Sequence, residues 1–405
     1  MKPIVRAGRM KPVHSDIRGP LFVEAMKRQK QGIDILKLNT GNPATFGFGL
    51  PDSIKNALME HMQDGVGYCD FKGMPQARQA ICDYETSKGI KGITSDDVFI
   101  GNGVSEVVSF ALTPLLNDGD EVLVPSPSYS LWGNSVYLED GKPVFYTCDE
   151  QANWYPDIQD IRSKITDKTK AIVIINPNNP TGVLYPKELL LEIIQIARES
   201  GLLIFADEIY DRLVMDGKQH ISLASLTEDV PVITLNGLSK SHCLCGYRCG
   251  WMIISGPREL TEDYRQGIIQ LTSLRLCANT LAQIVIPVAL DDMDTPASMV
   301  RPGGRIYEQR EATVRELEKI DGLSFVKNDA AFYVFPKLDV KKFNITNDKQ
   351  FAHDLLDATN ILLVPGSGFD WKDPDHFRIV MLPQADILSD AIRRMGTFLD
   401  GYKQK

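Results

Sequence analysis

The chain of 405 residues carries a formal net charge of −9, with 43% apolar and 24% charged residues. That length predicts two lobes rather than one small core, and an acidic balance with no basic run beyond pairs such as Lys341-Lys342 excludes a nucleic-acid partner. No apolar run approaches the roughly 20 residues that cross a bilayer, "MKPIVRAGRMKP" has no signal-like apolar stretch, and seven scattered cysteines fit free thiols; a cytoplasmic protein without disulfides or membrane contact is expected.

Residues before Pro51 have no readable period. The first clear strand is "DVFI" (97–100), followed by "GNGVSE" (101–106), which turns into a helix-like apolar pattern. A glycine turn feeding a helix presents N–H groups and the positive dipole end to an anion. The same glycines also serve a plain turn. Next, "AIVIIN" (171–176) predicts a buried strand and "PNNPTG" a turn, and "PKELLLEIIQIARESG" (186–201) is a helix with Pro186 near its start and Gly201 at its end. "LLIFAD" (202–207) and "VITLN" (232–236) are two further strands, giving the rhythm of parallel βαβ units. From about residue 305 the pattern changes to a helix (305–319), a strand "FYVFPKL" (332–338), a helix near 349–358, strands "ILLVPG" and "FRIVML", and a final helix from about 385. This predicts a smaller α+β lobe.

Parallel strands deliver the residues beyond their C-terminal ends to one edge, where ligands bind. Asn179, Asp207 and Lys240 each lie zero to four residues past such a strand, so an amide, a carboxylate and an amine converge there. A lysine is a covalent catalyst when it meets a carbonyl. An aldehyde cofactor with a pyridine nitrogen, a phenolic oxygen and a phosphate would use every group at this edge: Asp207 for the nitrogen, Asn179 and Tyr210 for the oxygen, Arg248 for the phosphate. Singly, each has an ordinary use: surface charge for Lys240, helix cap for Asp207, turn residue for Asn179, ion-pair partner for Arg248. Cys243, Cys245 and Cys249 offer three thiols without a fourth, which suits packing better than a structural metal, and no metal is expected.

Taken together, "NPNNPTG", "ADEIY", "SK" followed by "GYRCG", and "FRIV" resemble the pyridoxal-phosphate aminotransferases of fold type I in order and spacing. The resemblance is closer still to the bacterial branch that exchanges the amino group between alanine and 2-oxoglutarate, and it runs from "SDIRGP" (15–20) through "IGNGVSE", "NGLSK" and "PGGRIYEQR" to "DHFRIVMLP". It implies a large, mostly parallel α/β domain over 51–295, with 1–50 and 296–405 forming an N-terminal arm and a small α+β domain. It also implies pyridoxal 5'-phosphate as cofactor and a ping-pong exchange through a lysine aldimine, with amino acids and 2-oxo acids as substrates. By the same resemblance Lys240 is the catalytic lysine, Tyr129 stacks on the ring, and Val104, Ser105, Ser239 and Arg248 take the phosphate. Arg378 would clamp the substrate carboxylate, helped by Gly41 and Asn179, and Tyr68 would reach the phosphate of a partner subunit, implying a homodimer with shared sites. Arg18, on the arm, is the expected partner of a distal substrate carboxylate.

This chain departs from the family pattern at Gly237, where a serine often contacts the phosphate, and at the cysteines between 243 and 249. Alternatives are a related enzyme for aromatic, branched-chain or valine–pyruvate substrates, or a lyase with the same cofactor. A non-catalytic regulator of this fold is disfavoured, because Lys240 is present and about 40 N-terminal residues leave no room for a helix-turn-helix.

Overall fold

The computed structural model of the protein describes residues 3–405. Its largest element is an eight-stranded sheet ordered Val98–Asn102, Cys249–Ser255, Val232–Gly237, Leu203–Asp207, Thr169–Ile175, Glu121–Ser126, Lys142–Asp149 and Tyr155–Pro156. The pairs from Val232–Gly237 across to Lys142–Asp149 are parallel, whereas Cys249–Ser255 runs against both its neighbours. The central strands are apolar throughout because both faces are covered. Ile172, Ile174 and Ile204 pack against the helix Lys187–Ser200, while Ala171, Val173, Ile175 and Phe205 face Val107, Val108 and Ile268 on the other side. That alternation is the two-residue period of a strand.

The helix Lys187–Ser200 buries Leu189, Leu190, Ile193, Ile194 and Ala197, the three-and-four spacing of one helical face. It ends at Gly201 in the left-handed region, φ +65°. Register then lines up the strand ends: Ile175 pairs with Asp207, and Asp207 with Leu235. The expected convergence of three strand ends on one edge is what the backbone does.

A second apolar core gathers Leu38, Leu317, Val334, Phe351, Leu355, Ile379, Leu388 and Ile392 from the helices Arg305–Leu317, Asp348–Thr359 and Ala385–Asp400 and from short strands between them. Here two expected strands divide. "FYVFPKL" becomes Tyr333–Val334 and Lys337–Leu338, which join different sheets, because Phe335 between them turns to the core of the large sheet while Val334 and Leu338 stay in the smaller one. "ILLVPG" likewise becomes Ile361–Leu362 and Val364–Pro365. The residues before Pro51, without a readable period, form a helix Pro20–Lys30 and a strand Leu36–Lys37 that pairs in parallel with Ile361–Leu362, and a helix Asp52–His61 follows. Among the described residues, no helix is long and apolar enough to cross a membrane.

Candidate active site

Asp207 ends its strand with a buried carboxylate. Oδ2 accepts from the indole Nε1 of Trp132 at 3.1 Å and Oδ1 from the Ile209 N–H at 3.3 Å. Burial outweighs these bonds and pushes the carboxyl up to about 6. Such a group gains most from a cationic partner.

Lys240 lies in the short helix Leu238–Ser241, immediately past the neighbouring strand, and its Nζ donates to the Gly41 carbonyl at 3.0 Å. Burial pulls the ammonium towards its neutral form, but Tyr333, Cys245 and Tyr129 oppose it, and the amine stays above the usual lysine range. Gly41 cannot be another residue here. A Cβ would stand 2.2 Å from the Tyr333 hydroxyl and 2.9 Å from the Phe332 ring.

Tyr210 and Tyr333 share a hydrogen bond of 2.8 Å between their hydroxyls, and burial holds the Tyr210 phenol well above its ordinary range. Asn179 accepts at Oδ1 from Arg378 Nη1 at 3.0 Å, while Arg378 Nη2 donates to the Asn39 carbonyl. The Arg378 guanidinium lies between two rings, 4.6 Å from the Tyr333 centroid and 4.7 Å from that of Phe369. It is buried, its Nε has no partner, and it forms no ion pair among the described residues. A buried cation held only by neutral groups is suited to a carboxylate brought by a ligand.

At the other end of the edge, Gly103 caps the helix Val104–Leu112; the Glu106 N–H turns back to the Gly103 carbonyl at 3.1 Å, leaving the N–H groups of Val104 and Ser105 at the open end of the helix. Arg248 Nη2 donates to Ser105 Oγ at 3.1 Å and Nη1 to the Cys245 carbonyl at 2.9 Å, and among the described residues Arg248 has no carboxylate partner. A Cβ on Gly103 would meet that guanidinium at 2.2 Å, so the glycine lets the cation reach the helix end. Helix dipole, hydroxyl and guanidinium together make an anion cradle.

Gly237 stands beside this cradle for a steric reason. A Cβ there would lie 2.5 Å from the Cys249 carbonyl and 3.1 Å from Gly250 Cα, so the serine found in many family members has no room. Gly237→Ser is expected to destabilise the chain by about 1–3 kcal/mol through overpacking, measured as a lowered urea midpoint; an unchanged midpoint would show that the backbone yields.

The cysteines nearby face apart. Cys249 Sγ donates to Ala282 O at 3.0 Å and Cys245 Sγ to Ser239 O at 2.9 Å, whereas Cys243 Sγ lies 3.9 Å from Met299 Sδ. Burial pushes the Cys243 and Cys249 thiols up to about 12, which leaves them protonated and inert.

Two expected residues sit apart from this centre. Tyr68 is 84% exposed, and its hydroxyl has no hydrogen-bond partner among the described residues. Arg18 is exposed and without an ion-pair partner among the described residues, but its segment is tethered inward: Asn39 Nδ2 donates to the Ile17 carbonyl at 2.8 Å, and Asn39 O is the acceptor of Arg378. Tyr129, 38% exposed, precedes the helix Leu131–Leu138 that carries Trp132.

Sequence reading missed Trp132, Tyr333, Phe369 and Asn39. It also missed a buried ionic cluster, in which Lys88 Nζ lies 2.8, 2.7 and 3.0 Å from carboxylates of Glu85, Glu208 and Asp211. Glu208 and Asp211 follow Asp207 and Tyr210 directly, so the cluster pins the loop that carries both. Only the acidic spacing in "ADEIYD" hinted at it.

The family description "Aminotransferase class I and II" matches residues 33–392. The chain is 50% identical over 404 residues to the glutamate-pyruvate aminotransferase AlaA of Haemophilus influenzae and 45% identical over 404 residues to the alanine aminotransferase of Mycobacterium tuberculosis, covering all of this chain and 100% and 94% of those proteins. A crystal structure of an aminotransferase from Escherichia coli superposes with a TM-score of 0.98 at 47% identity, over the whole of both chains. Lys240 and Asp207 follow neighbouring strands of the large sheet, Arg378 reaches their edge through Asn179 from the strand Phe377–Val380 of another sheet, and the chain belongs to the class I and II aminotransferases and has their fold type I architecture.

Proposed function

We propose that the enzyme transfers the amino group between L-alanine and 2-oxoglutarate, giving pyruvate and L-glutamate, in two ping-pong half-reactions with pyridoxal 5'-phosphate as cofactor. The observation that carries this reading is the convergence of an amine, a buried acid and an unpaired buried guanidinium on one edge. Full-length relatives named for alanine and for glutamate–pyruvate exchange support the choice of substrates.

The residues present fit the cofactor. Asp207, raised by burial, suits a protonated pyridine nitrogen, and the cradle at Val104, Ser105 and Arg248, with Ser239 beside it, suits a phosphate. Tyr129 supplies the stacking ring, and Asn179 and Tyr210 supply the hydrogen bonds to the phenolic oxygen. When bound, pyridoxal phosphate supplies an aldehyde that links to amines and a ring that accepts an electron pair from the substrate α-carbon.

The chain does the rest. Lys240 Nζ would hold the cofactor at its aldehyde carbon and, as the free amine while substrate occupies that carbon, would take and return the proton at the substrate α-carbon. Arg378 grips the α-carboxylate through a guanidinium already oriented by Asn179, Asn39 and two rings, with Gly41 alongside. Water is excluded by the buried wall of Tyr210, Phe332 and Tyr333.

Alanine and glutamate differ in their distal group, and Arg18 meets the second carboxylate of the longer substrate. Arg18→Ala is expected to raise the KM for glutamate and 2-oxoglutarate about tenfold, the equivalent of one charge-assisted hydrogen bond, and the KM for alanine and pyruvate by less than twofold. Steady-state kinetics with all four substrates reads this out; equal changes would sink the role.

The site is completed by a second copy of the chain. Tyr68 belongs to a run of exposed apolar residues with Met59, Met62 and Val66, joined by Leu274, Leu276 and Leu281. Thr280 Oγ1 donates to Gly65 O at 2.7 Å, which ties these segments into one surface. Such a patch marks an interface, and Tyr68 donates across it to the neighbouring phosphate. A matrix of amino donors against keto acceptors tests the whole reading: alanine with 2-oxoglutarate should give the highest kcat/KM, and preference for an aromatic or branched pair would replace it.

A further inference from the structure

His14 holds a position that the transfer chemistry does not use. Its backbone is gripped from both sides by Asn134: the His14 N–H donates to Asn134 Oδ1 at 3.1 Å, and Asn134 Nδ2 donates to the His14 carbonyl at 2.6 Å. Its ring lies between two carboxylates, with Nε2 3.0 Å from Asp370 Oδ1 and Nδ1 3.4 Å from Asp16 Oδ2. Both nitrogens face acceptors, and only the imidazolium can donate from both.

These partners belong to different parts of the molecule. Asn134 lies on the helix Leu131–Leu138, which follows Tyr129 and carries Trp132 to Asp207. Asp16 continues to Lys349 Nζ at 3.0 Å, on the helix Asp348–Thr359. Asp370 follows Phe369, whose ring covers Arg378, and its loop is fastened by Ser126 Oγ to Asp370 O at 2.7 Å and by Ser128 N–H to Phe369 O at 2.9 Å. Arg18 is two residues past Asp16, in the same 3-10 turn Asp16–Arg18.

We propose that His14 is a positioning residue for substrate choice: clamped between Asp16 and Asp370, it seats the turn that carries Arg18 and so favours a dicarboxylic 2-oxo acid over a monocarboxylic one. The inference rests on the role proposed for Arg18. Without the imidazolium, Asp370 loses the partner of Oδ1 while its Oδ2 is already buried without one, a costly arrangement that the loop relieves by moving. The turn then keeps Lys349, the Asn39 amide and the packing of Ile17, but loses its ionic tie to the Phe369–Asp370 loop.

The charged groups facing His14 are Asp16 on its own segment and Asp370 opposite, with Lys349 behind Asp16; Tyr137, on the Asn134 helix, faces Asp370. Hydrogen bonds donated by the ring to Asp16 and Asp370 raise His14 to about 9 against the loss from burial. The clamp is therefore complete below about pH 6.5, the ordinary histidine value, and is lost as pH rises through about 9.

The test compares 2-oxoglutarate with pyruvate as amino acceptors in the wild-type holoenzyme, His14→Gln, Asp370→Asn and Arg18→Ala. Neither keto acid titrates between pH 6.5 and 9.5, and free-enzyme groups common to both substrates cancel from the ratio of their kcat/KM values. In the wild type the ratio should fall about threefold across this window, because about a quarter of a group titrating near 9 still holds its proton at pH 9.5. His14→Gln should start near the wild type's high-pH ratio and stay flat, through a raised KM for 2-oxoglutarate with kcat changed less than twofold; Asp370→Asn should give an intermediate ratio.

If Arg18→Ala is selective while both clamp variants keep the wild-type ratio and its pH profile, the clamp is overturned and the role of Arg18 stands. An unselective Arg18→Ala overturns that role and the purpose of the clamp with it.

Discussion

Replacing Lys240 with alanine is expected to lower turnover about 10⁴-fold, the upper range for removing a positioned acid–base group. Lys240 holds two tasks at one atom, capture of the aldehyde and movement of the α-proton. No neighbour can take over. The other nitrogen bases of the pocket are the guanidiniums of Arg378 and Arg248, which stay protonated, and the nearest thiol with a perturbed acidity, Cys243, is held neutral by burial. The variant should remain folded, since the Nζ contact to Gly41 O is a single hydrogen bond and lysine burial is costly in itself. Circular dichroism and a donor–acceptor assay on the same preparation separate the two effects. Full turnover in Lys240→Ala would remove the chemical basis of the whole reading.

Asp207→Asn is expected to cost about 10²–10³-fold in kcat, as for loss of one preorganised electrostatic partner, and to weaken retention of the cofactor. Its effect on the cofactor-free chain should have the opposite sign. Burial raises the Asp207 carboxyl from about 3.8 to about 6. The fold therefore binds this proton more tightly than the unfolded chain does, and stability contributed by the site falls as pH rises from about 4 to about 6. Above that window the ionised carboxylate destabilises the empty fold by about 3 kcal/mol. Asparagine can still accept from Trp132 without the charge. Urea melts of the two apoproteins should show Asp207→Asn as the more stable at pH 7, with the gap closing near pH 4. A less stable variant at pH 7 would show that Asp207 already has a cationic partner in the apoprotein.

Four strands of the large sheet, Val98–Asn102, Thr169–Ile175, Leu203–Asp207 and Val232–Gly237, were readable because both their faces are buried, which turns each into a short apolar run bounded by polar residues. That reading carried through to the convergence of Asn179, Asp207 and Lys240. It failed where one run serves two cores: Val334 and Phe335 are adjacent but pack into different clusters, and period alone cannot divide them. It also failed at Trp132 and Asn39, which act on groups 75 and 339 residues away in sequence, and at the rings of Tyr333 and Phe369, which meet Arg378 from other elements. A tryptophan in a helix gives no sign that its indole meets a distant carboxylate. The steric reason for Gly237 was out of reach for a related reason: its neighbour is the Cys249 carbonyl on the adjoining strand, and contact across strands is invisible along one.

The crowding at Gly41 divides the pocket by its capacity for evolutionary change. A side chain there would displace Tyr333, which bonds Tyr210 and lines the ring sandwich of Arg378, while Gly41 O itself receives Lys240. Four groups would be disturbed by one substitution, so this wall has few viable single-step variants. The turn Asp16–Arg18 is exposed at Arg18 and tied by a few side-chain contacts. New substrate ranges are therefore accessible through the arm, while the wall around Gly41 keeps the bond-breaking chemistry fixed.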